Sequence, residues 1–447
     1  MSRVVVSKFG GSSMKDHEAM LRSAKISLEQ KSDITLVSAT YGTTDKLHLL
    51  IENAVNGDWN ACEKILFTIR EHHFDILNNL TKNTLAGEQV RELINNLETL
   101  IRGIFLLGEC SNKAKDRVVS FGERVSSILF AEAMKITCPD RSIQLFDSRT
   151  ILKTDSTYGK AKPNIELIRK NCLAFFKFDA RNSYIGQGYI GSDNEESTTT
   201  LGRGGSDYSA ALFAEGVRAH VLEIWTDVAG IATTDPRICS SAKPIHEISY
   251  DEASEMAQYG AKILHPTTLV PAMRENIPVY VGSSYASKEK GTWIKSKVES
   301  KPKIRAIAKR SNQALLTIRT PKMFNAYGFM GKIFEVFTKY EISVDCVTTS
   351  EISVAITVDE ATLKNEHFLH ELQNIGEVVT EIGHTLISLI GNQMLETSGL
   401  AKRIFDSIGE VNVRMLCLGA SPYNFNLLVN EKDGDATVIK LHKEFIG

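Results

Sequence analysis

The sequence lacks any run of 18 apolar residues, so it offers no membrane-spanning helix. It also lacks a C-x-x-C pair. Its seven cysteines, at 62, 110, 138, 172, 239, 346 and 417, are odd in number and scattered, which argues against a disulfide framework or a zinc site and for reduced thiols. Charge of one sign is not in surplus. Lys plus Arg number 52 against 54 Asp plus Glu, a formal charge of −2, which argues against a general nucleic-acid binder and leaves room only for a local basic pocket. The apolar stretch Val4-Val5-Val6 after Ser2-Arg3 is too short for a secretory leader, so a cytoplasmic location is expected. What is present is ordinary for soluble chains: 43% hydrophobic and 24% charged residues over 447 positions, enough for about two to four domains.

The pattern of elements divides near residue 300. Val4 to Phe9 reads as a buried strand, followed by Gly10-Gly11 and a helix over about 15–28. Ile34 to Ala39 reads as a second strand, and residues 60–110 as helical, with Val90, Leu93, Ile94, Leu97, Leu100, Ile101 and Ile104 at helical spacing. Strands recur at Ile143–Phe146, Tyr184–Tyr189 and Val221–Thr226 between helical stretches. Such alternation predicts an α/β layer fold with a largely parallel sheet. Ser283 to Pro302 is polar and reads as a linker. Beyond it Ala314–Ile318 lines up with Thr385–Leu389, Lys332–Phe334 with Lys402–Phe405, Ile342–Val344 with Val411–Val413, and Val358–Glu360 with Val429–Glu431, a repeat of about 70 residues. Each copy reads strand, helix, strand, strand, helix: a duplicated α+β unit.

Three stretches point to phosphate and carboxylate chemistry. Lys8-Phe9-Gly10-Gly11-Ser12-Ser13 follows a strand; glycines let backbone N–H groups approach phosphate oxygens, and the lysine adds a point charge. The lysine precedes the glycines, so this is not a Walker loop. Thr199 to Asp207 places Gly202, Gly204, Gly205 and Arg203 just ahead of an Ala-rich helix, whose N-terminus favours anions. Arginine there suits a carboxylate, while Ser206 and Asp207 also suit helix capping. Trp225 to Ile231 and Thr233 to Arg237 follow a strand whose carboxyl end would line a ligand crevice, or form a plain loop. Ser120-Phe121-Gly122-Glu123 fits a capping box. Lys262 by itself reads as a surface lysine and His265 as structural.

Taken in order, Lys8–Ser13, Phe121–Glu123, Thr199–Asp207, Trp225–Asp227, Thr233–Arg237 and Gly260–Lys262 resemble the aspartate kinases over essentially the whole chain. Ser12 stands where the family commonly has threonine, and Ala232 where it commonly has tyrosine. The resemblance implies an amino-acid-kinase fold over residues 1–297, a linker and first ACT-type unit over 298–384, and a second over 385–447. It implies transfer of the γ-phosphoryl group of ATP, carried with Mg²⁺, to the side-chain carboxylate of L-aspartate. That carboxylate has a pKa of about 4 and is already an anionic nucleophile, so alignment and positive charge are what the reaction needs.

The resemblance further implies roles. Lys8 and Asp207 are catalytic. Thr44, Glu123, Arg203 and Ser206 hold the amino acid. Lys8, Gly10, Gly11, Ser12, Thr226, Asp227, Arg237 and Lys262 serve the nucleotide, and no protein ligand is assigned to the metal. No dinucleotide fingerprint follows, so the monofunctional form is expected. Met323–Met330, Ser343-Val344-Asp345 and Thr349-Ser350-Glu351 are similar to the lysine-inhibited type, with Met323, Ala326, Phe329, Met330, Ser343, Asp345, Ser350 and Glu351 as the allosteric site. A homodimer or dimer of dimers through the ACT units is implied, without nucleic-acid or membrane partners. A kinase of the same fold acting on another acid, and a non-catalytic amino-acid sensor, remain as alternatives.

Overall fold

The computed structural model describes residues 3–179, 181–260, 266–321 and 327–447. Among them no helix is long and apolar enough to cross a membrane. The chain forms two compact units: Met1–Ile231 with Pro244–Tyr250 and Ile263–Val298, and Ala232–Lys243 with Asp251–Lys262 and Glu299–Gly447.

The first unit is built on a sheet of eight strands: β1 (Val5–Phe9), β2 (Ile34–Val37), β3 (Ser142–Leu145), β4 (Asn182–Gln187), β7 (Val221–Thr226), β8 (Glu247–Ser249), β9 (Val279–Ser283) and β10 (Thr292–Lys295). The remaining two, β5 (Ile190–Ser192) and β6 (Thr198–Thr200), form a separate antiparallel ribbon. The order is β3-β4-β2-β1-β7-β9-β10-β8, parallel except where β10 meets β9. All five residues of β1 are buried, as a central parallel strand covered on both faces requires. Its neighbours β2 and β7 flank it in register, Lys8 opposite Leu36 and Ile224.

Helices His17–Glu29, Trp59–Leu80, Thr84–Leu107 and Phe121–Thr137 share one core with Phe9, Val37 and Trp225. The helical span expected over 60–110 is two helices: the first ends at Leu80, and Asn83 caps the second through the Leu85 N–H at 3.1 Å. The polar stretch 283–302 is not all linker, because it contains β10. Thr292 hides its polarity by accepting from the Ile231 N–H (2.8 Å) and donating to the Ile245 carbonyl (2.5 Å). A four-residue strand with so few apolar positions leaves no readable alternation.

The second unit holds one antiparallel sheet: β11 (Ala306–Arg319), β12 (Val347–Thr349), β13 (Ser353–Asp359), β14 (Glu377–Ile390), β15 (Val413–Cys417) and β16 (Asn424–Asn430), in the order β12-β13-β11-β14-β16-β15. Strands β11 and β14 are each long enough to serve both copies of the repeat. The first copy is continuous: the later half of β11, helix Phe329–Lys339, β12, β13, helix Glu366–Gln373 and the early half of β14, a complete β-α-β-β-α-β unit. The second copy runs from the later half of β14 to helix Glu431–Phe445 and takes its last strand from the early half of β11, where Ala306 pairs with Ile390 and Arg310 with Leu386.

Two separate cores follow that division. Ile304 and Ile307 pack with Ile387, Leu389, Ile404 and Phe425, whereas Leu316 and Ile318 pack with Ile333, Ile356 and Phe368. The first copy is thus inserted into the second, and β14 crosses the expected boundary at 384/385. Two segments from within residues 1–297 also pack with this unit. Glu252 is fully buried against Arg305 at 2.6 Å and accepts from Asn392 at 2.7 Å, and Glu255 accepts from Ser421 and Asn424.

Candidate active site

A cavity of about 640 Å³ opens in the first unit at the carboxyl ends of β1 and β2 and the N-terminus of helix Gly205–Val217. This is where an open α/β sheet places its ligands. Lys8, Gly11, Thr44, Glu123, Arg203, Ser206 and Asp207, all marked from the sequence, line it together.

Lys8 is the penultimate residue of the central strand, with 7% exposure, and its Nζ lies 2.6 Å from Asp207 Oδ1. Asp207 therefore does not cap the helix. The N-cap is Gly204 in the left-handed region (φ 72°), with no side-chain cap; the Gly205 N–H donates to the Gly202 carbonyl at 3.0 Å, and no side chain caps the N–H groups of Ser206 and Asp207 that follow. Gly202 also needs positive φ (77°), and a Cβ on Gly205 would sit 2.6 Å from the Tyr189 ring. The density of glycine in this loop thus has two causes, conformation and contact.

Glu123 is not the acidic half of a capping box. Ser120 is itself helical, and its hydroxyl donates to the Arg117 carbonyl at 2.7 Å. Glu123 is instead buried in the cavity wall at 3% exposure, with Oε2 lacking a partner among the described residues. Burial pushes its carboxyl up to about 8, opposed by the N–H groups of Ala39 and of Glu123 itself and by the charge of Lys8. Gly122 permits this approach, since a Cβ there would meet Ala39 Cβ at 2.7 Å.

Several lining residues escaped the sequence reading. Asp116 looks like a surface acid in the polar helix Asn112–Val119, yet it is 1% exposed. It accepts from the Gly159 and Thr200 N–H groups (both 2.9 Å) and the Thr200 hydroxyl (2.8 Å), tying together the walls. Burial raises its pKa and these three bonds oppose the rise. The loop after β2 contributes Ser38 to Gly42, and the helix Thr43–Val55 that follows contributes Asp45 and His48 besides Thr44. Its signal was there to read: Gly42-Thr43-Thr44 at the end of a second parallel strand.

Apart from Lys8 and Gly11, the described residues expected on the nucleotide side are not gathered in this cavity. Gly10, Ser12, Thr226 and Asp227 do not line it. The Ser12 carbonyl accepts from the Tyr285 hydroxyl at 2.9 Å, and Thr226 Oγ1 donates to Asp227 at 3.0 Å. Arg237 belongs to the second unit and holds Asp235 through two nitrogens, at 2.6 and 3.0 Å. Lys262 and His265 lie outside the described residues, as do Met323 and Ala326.

Of the regulatory set, Phe329 is taken up by the core of the first copy and Met330 packs against it. Ser343, Ser350 and Glu351 are exposed. Asp345 Oδ1 meets Arg310 Nη1 at 2.6 Å, while its buried Oδ2 has no partner among the described residues.

A parallel-sheet fold with a lysine, a glycine-rich helix start and a buried acid around one cavity defines the class, and comparison with known proteins narrows it. The sequence model of the amino acid kinase family matches residues 3–283, and an ACT domain model matches 387–445. The lysine-sensitive aspartokinase 3 of Escherichia coli is 42% identical over 99% of both chains, and the chloroplastic aspartokinase 3 of Arabidopsis thaliana is 33% identical over 98% of this chain and 81% of its own. The E. coli aspartokinase III structure with aspartate and ADP superposes with a TM-score of 0.90 at 40% identity, covering 99% of this chain and 100% of that one. The chain belongs to the amino acid kinase family, in its aspartokinase branch.

Proposed function

We propose that the chain transfers the γ-phosphoryl group of ATP to the side-chain carboxylate of L-aspartate, giving 4-phospho-L-aspartate, and that L-lysine inhibits it through the second unit. The observation that carries this is the Lys8–Asp207 pair facing the same cavity as Arg203 and the buried Glu123 carboxyl, whose Oε2 has no partner among the described residues. The E. coli relative has been solved with aspartate and ADP, and also with lysine and aspartate in a T-state, the latter with a TM-score of 0.85 to this chain. The seven thiols are free, which suits a cytoplasmic enzyme. Pairing of ACT units between chains would make a homodimer or a dimer of dimers.

In this reading Glu123 takes the α-ammonium of aspartate and Arg203 its α-carboxylate, which aims the side-chain carboxylate toward Lys8. No proton need be removed, because the acceptor is already anionic. Lys8 neutralises charge on the phosphoryl oxygens in flight, Asp207 holds Lys8 in place, and the N–H groups that open helix Gly205–Val217 add a fixed positive field. No group of three or more His, Cys, Asp or Glu able to hold a metal lies among the described residues. Magnesium bound to the nucleotide phosphates would supply further charge neutralisation.

The test is ADP release measured with aspartate, glutamate, N-acetylglutamate and carbamate as acceptors, with and without lysine. Aspartate-dependent release that lysine suppresses is expected; release with another acceptor alone would sink the assignment.

Two further results bear on the amino-acid end. Arg203→Ala is expected to raise the aspartate KM about 10–100-fold, the worth of a charged hydrogen bond, with the ATP KM little changed. Burial pushes the Glu123 carboxyl up to about 8. Below that pH it is mostly neutral, so binding an ammonium releases a proton, and aspartate affinity should climb as pH rises from 6.5 to 8. Glu123→Gln should flatten that dependence. A wild-type aspartate KM independent of pH across this window would rule the ion pair out.

A further inference from the structure

His73, on helix Trp59–Leu80, is 1% exposed and has no part in the chemistry above. Its Nδ1 lies 2.7 Å from the Ile69 carbonyl oxygen. A carbonyl only accepts, so Nδ1 carries the ring proton. Burial pushes the ring's pKa down to about 4, opposed by the Ile69 bond and aided by the neighbouring His72 and Lys46, so the imidazole is neutral at ordinary pH. Nε2 is then a bare acceptor. It lies 3.1 Å from Thr40 Oγ1, so the Thr40 hydroxyl donates to it. That uses Thr40's one proton, and the Thr43 hydroxyl, 2.6 Å away, must donate to Thr40. One helix carbonyl thereby sets the direction of the whole relay.

The relay ends on the cavity. Thr40 lines it, and Thr40 and Thr43 are 2% and 1% exposed. The Thr43 N–H also donates to the Thr40 carbonyl at 3.0 Å, closing a turn through Gly42, which holds φ 71°. With Thr43 turned into the interior, its neighbour Thr44 faces the cavity.

We propose that His73 is a positioning residue whose Nε2, acting as a neutral acceptor, sets the Thr40–Thr44 loop against which the acceptor amino acid is held. This rests on the aspartate kinase reading above. The test is aspartate-dependent ADP release with both KM values and thermal melts for wild type, His73→Leu, His73→Gln, Thr40→Val and the Leu/Val double variant. His73→Leu and Thr40→Val are each expected to raise the aspartate KM about tenfold while the ATP KM and kcat stay within about twofold. The double variant should be no worse than Thr40→Val alone, because once the Thr40 hydroxyl is gone His73 Nε2 has no donor left to receive. His73→Gln, whose amide accepts from Thr40 and donates to Ile69, should stay within about twofold of wild type. A wild-type aspartate KM in folded His73→Leu and Thr40→Val overturns the proposal, as does an equal rise in both KM values, or a Gln variant as impaired as Leu. Should His73→Leu fail to fold, Thr40→Val decides alone. Absence of aspartate-dependent release in the wild type would instead defeat the functional reading, and the relay's role with it.

Discussion

Lys8→Ala is expected to lower kcat by about 10²–10³-fold while leaving the fold intact. The Lys8 ammonium stands at the carboxyl end of the central strand, almost removed from water, with Asp207 Oδ1 at 2.6 Å. In such a site a charge acts with little screening and needs no reorganisation as the phosphoryl group moves. Removing it does double harm, because Asp207 then presents an unpaired carboxylate toward an incoming anion. The double variant Lys8→Ala/Asp207→Ala should therefore be no slower than Lys8→Ala, and Asp207→Ala alone should be milder. Steady-state rates beside thermal melts check this. A folded Lys8→Ala within a few-fold of wild type would remove Lys8 from the mechanism.

Asp345→Ala is expected to raise the lysine concentration for half-inhibition about 10–100-fold, with the uninhibited rate near normal. Asp345 holds Arg310 with one oxygen and leaves the other buried and unpartnered, an arrangement ready to take an ammonium. Burial raises its pKa, and the charge and hydrogen bond of Arg310 oppose that rise. Inhibition requires lysine to favour one global state over another, so aspartate must weaken lysine binding by the same factor that lysine weakens aspartate binding. Calorimetry of lysine with and without aspartate measures that equality. Unchanged inhibition in Asp345→Ala would move the inhibitor site elsewhere.

How much of this was legible depended on whether a residue's task is local. The strand before Gly10-Gly11, the glycine-rich helix start and the duplicated α+β unit were all readable, because strand burial, helix N-termini and periodic packing leave local patterns. Asp116 was not. Its helix reads as a polar surface, and only the approach of Gly159 and Thr200 from 43 and 84 residues away makes it an interior anchor. Glu123 carried a misleading local pattern, since a capping box and a buried substrate acid look alike in four residues of sequence. His73 carried none, because its neighbours in the chain do not say what its second nitrogen meets.

The sequence by itself determined the class of fold and the placement of Lys8, Arg203 and Asp207 near element ends, since those follow from hydrophobic period, glycine and charge, while the family followed from the resemblance of its ordered motifs. Tertiary structure alone decided which copy of the repeat owns which strand. Residues 306–310 close the second copy, although the whole first copy lies between them and it in sequence. An antiparallel partner is chosen by the edge left open once both cores have packed, and that edge exists only after folding. The same holds for the protonation of Glu123 and His73. Their ordinary values belong to water, and it is burial that moves the one up to about 8 and the other down to about 4, against the opposing pull of the neighbouring N–H groups and carbonyl.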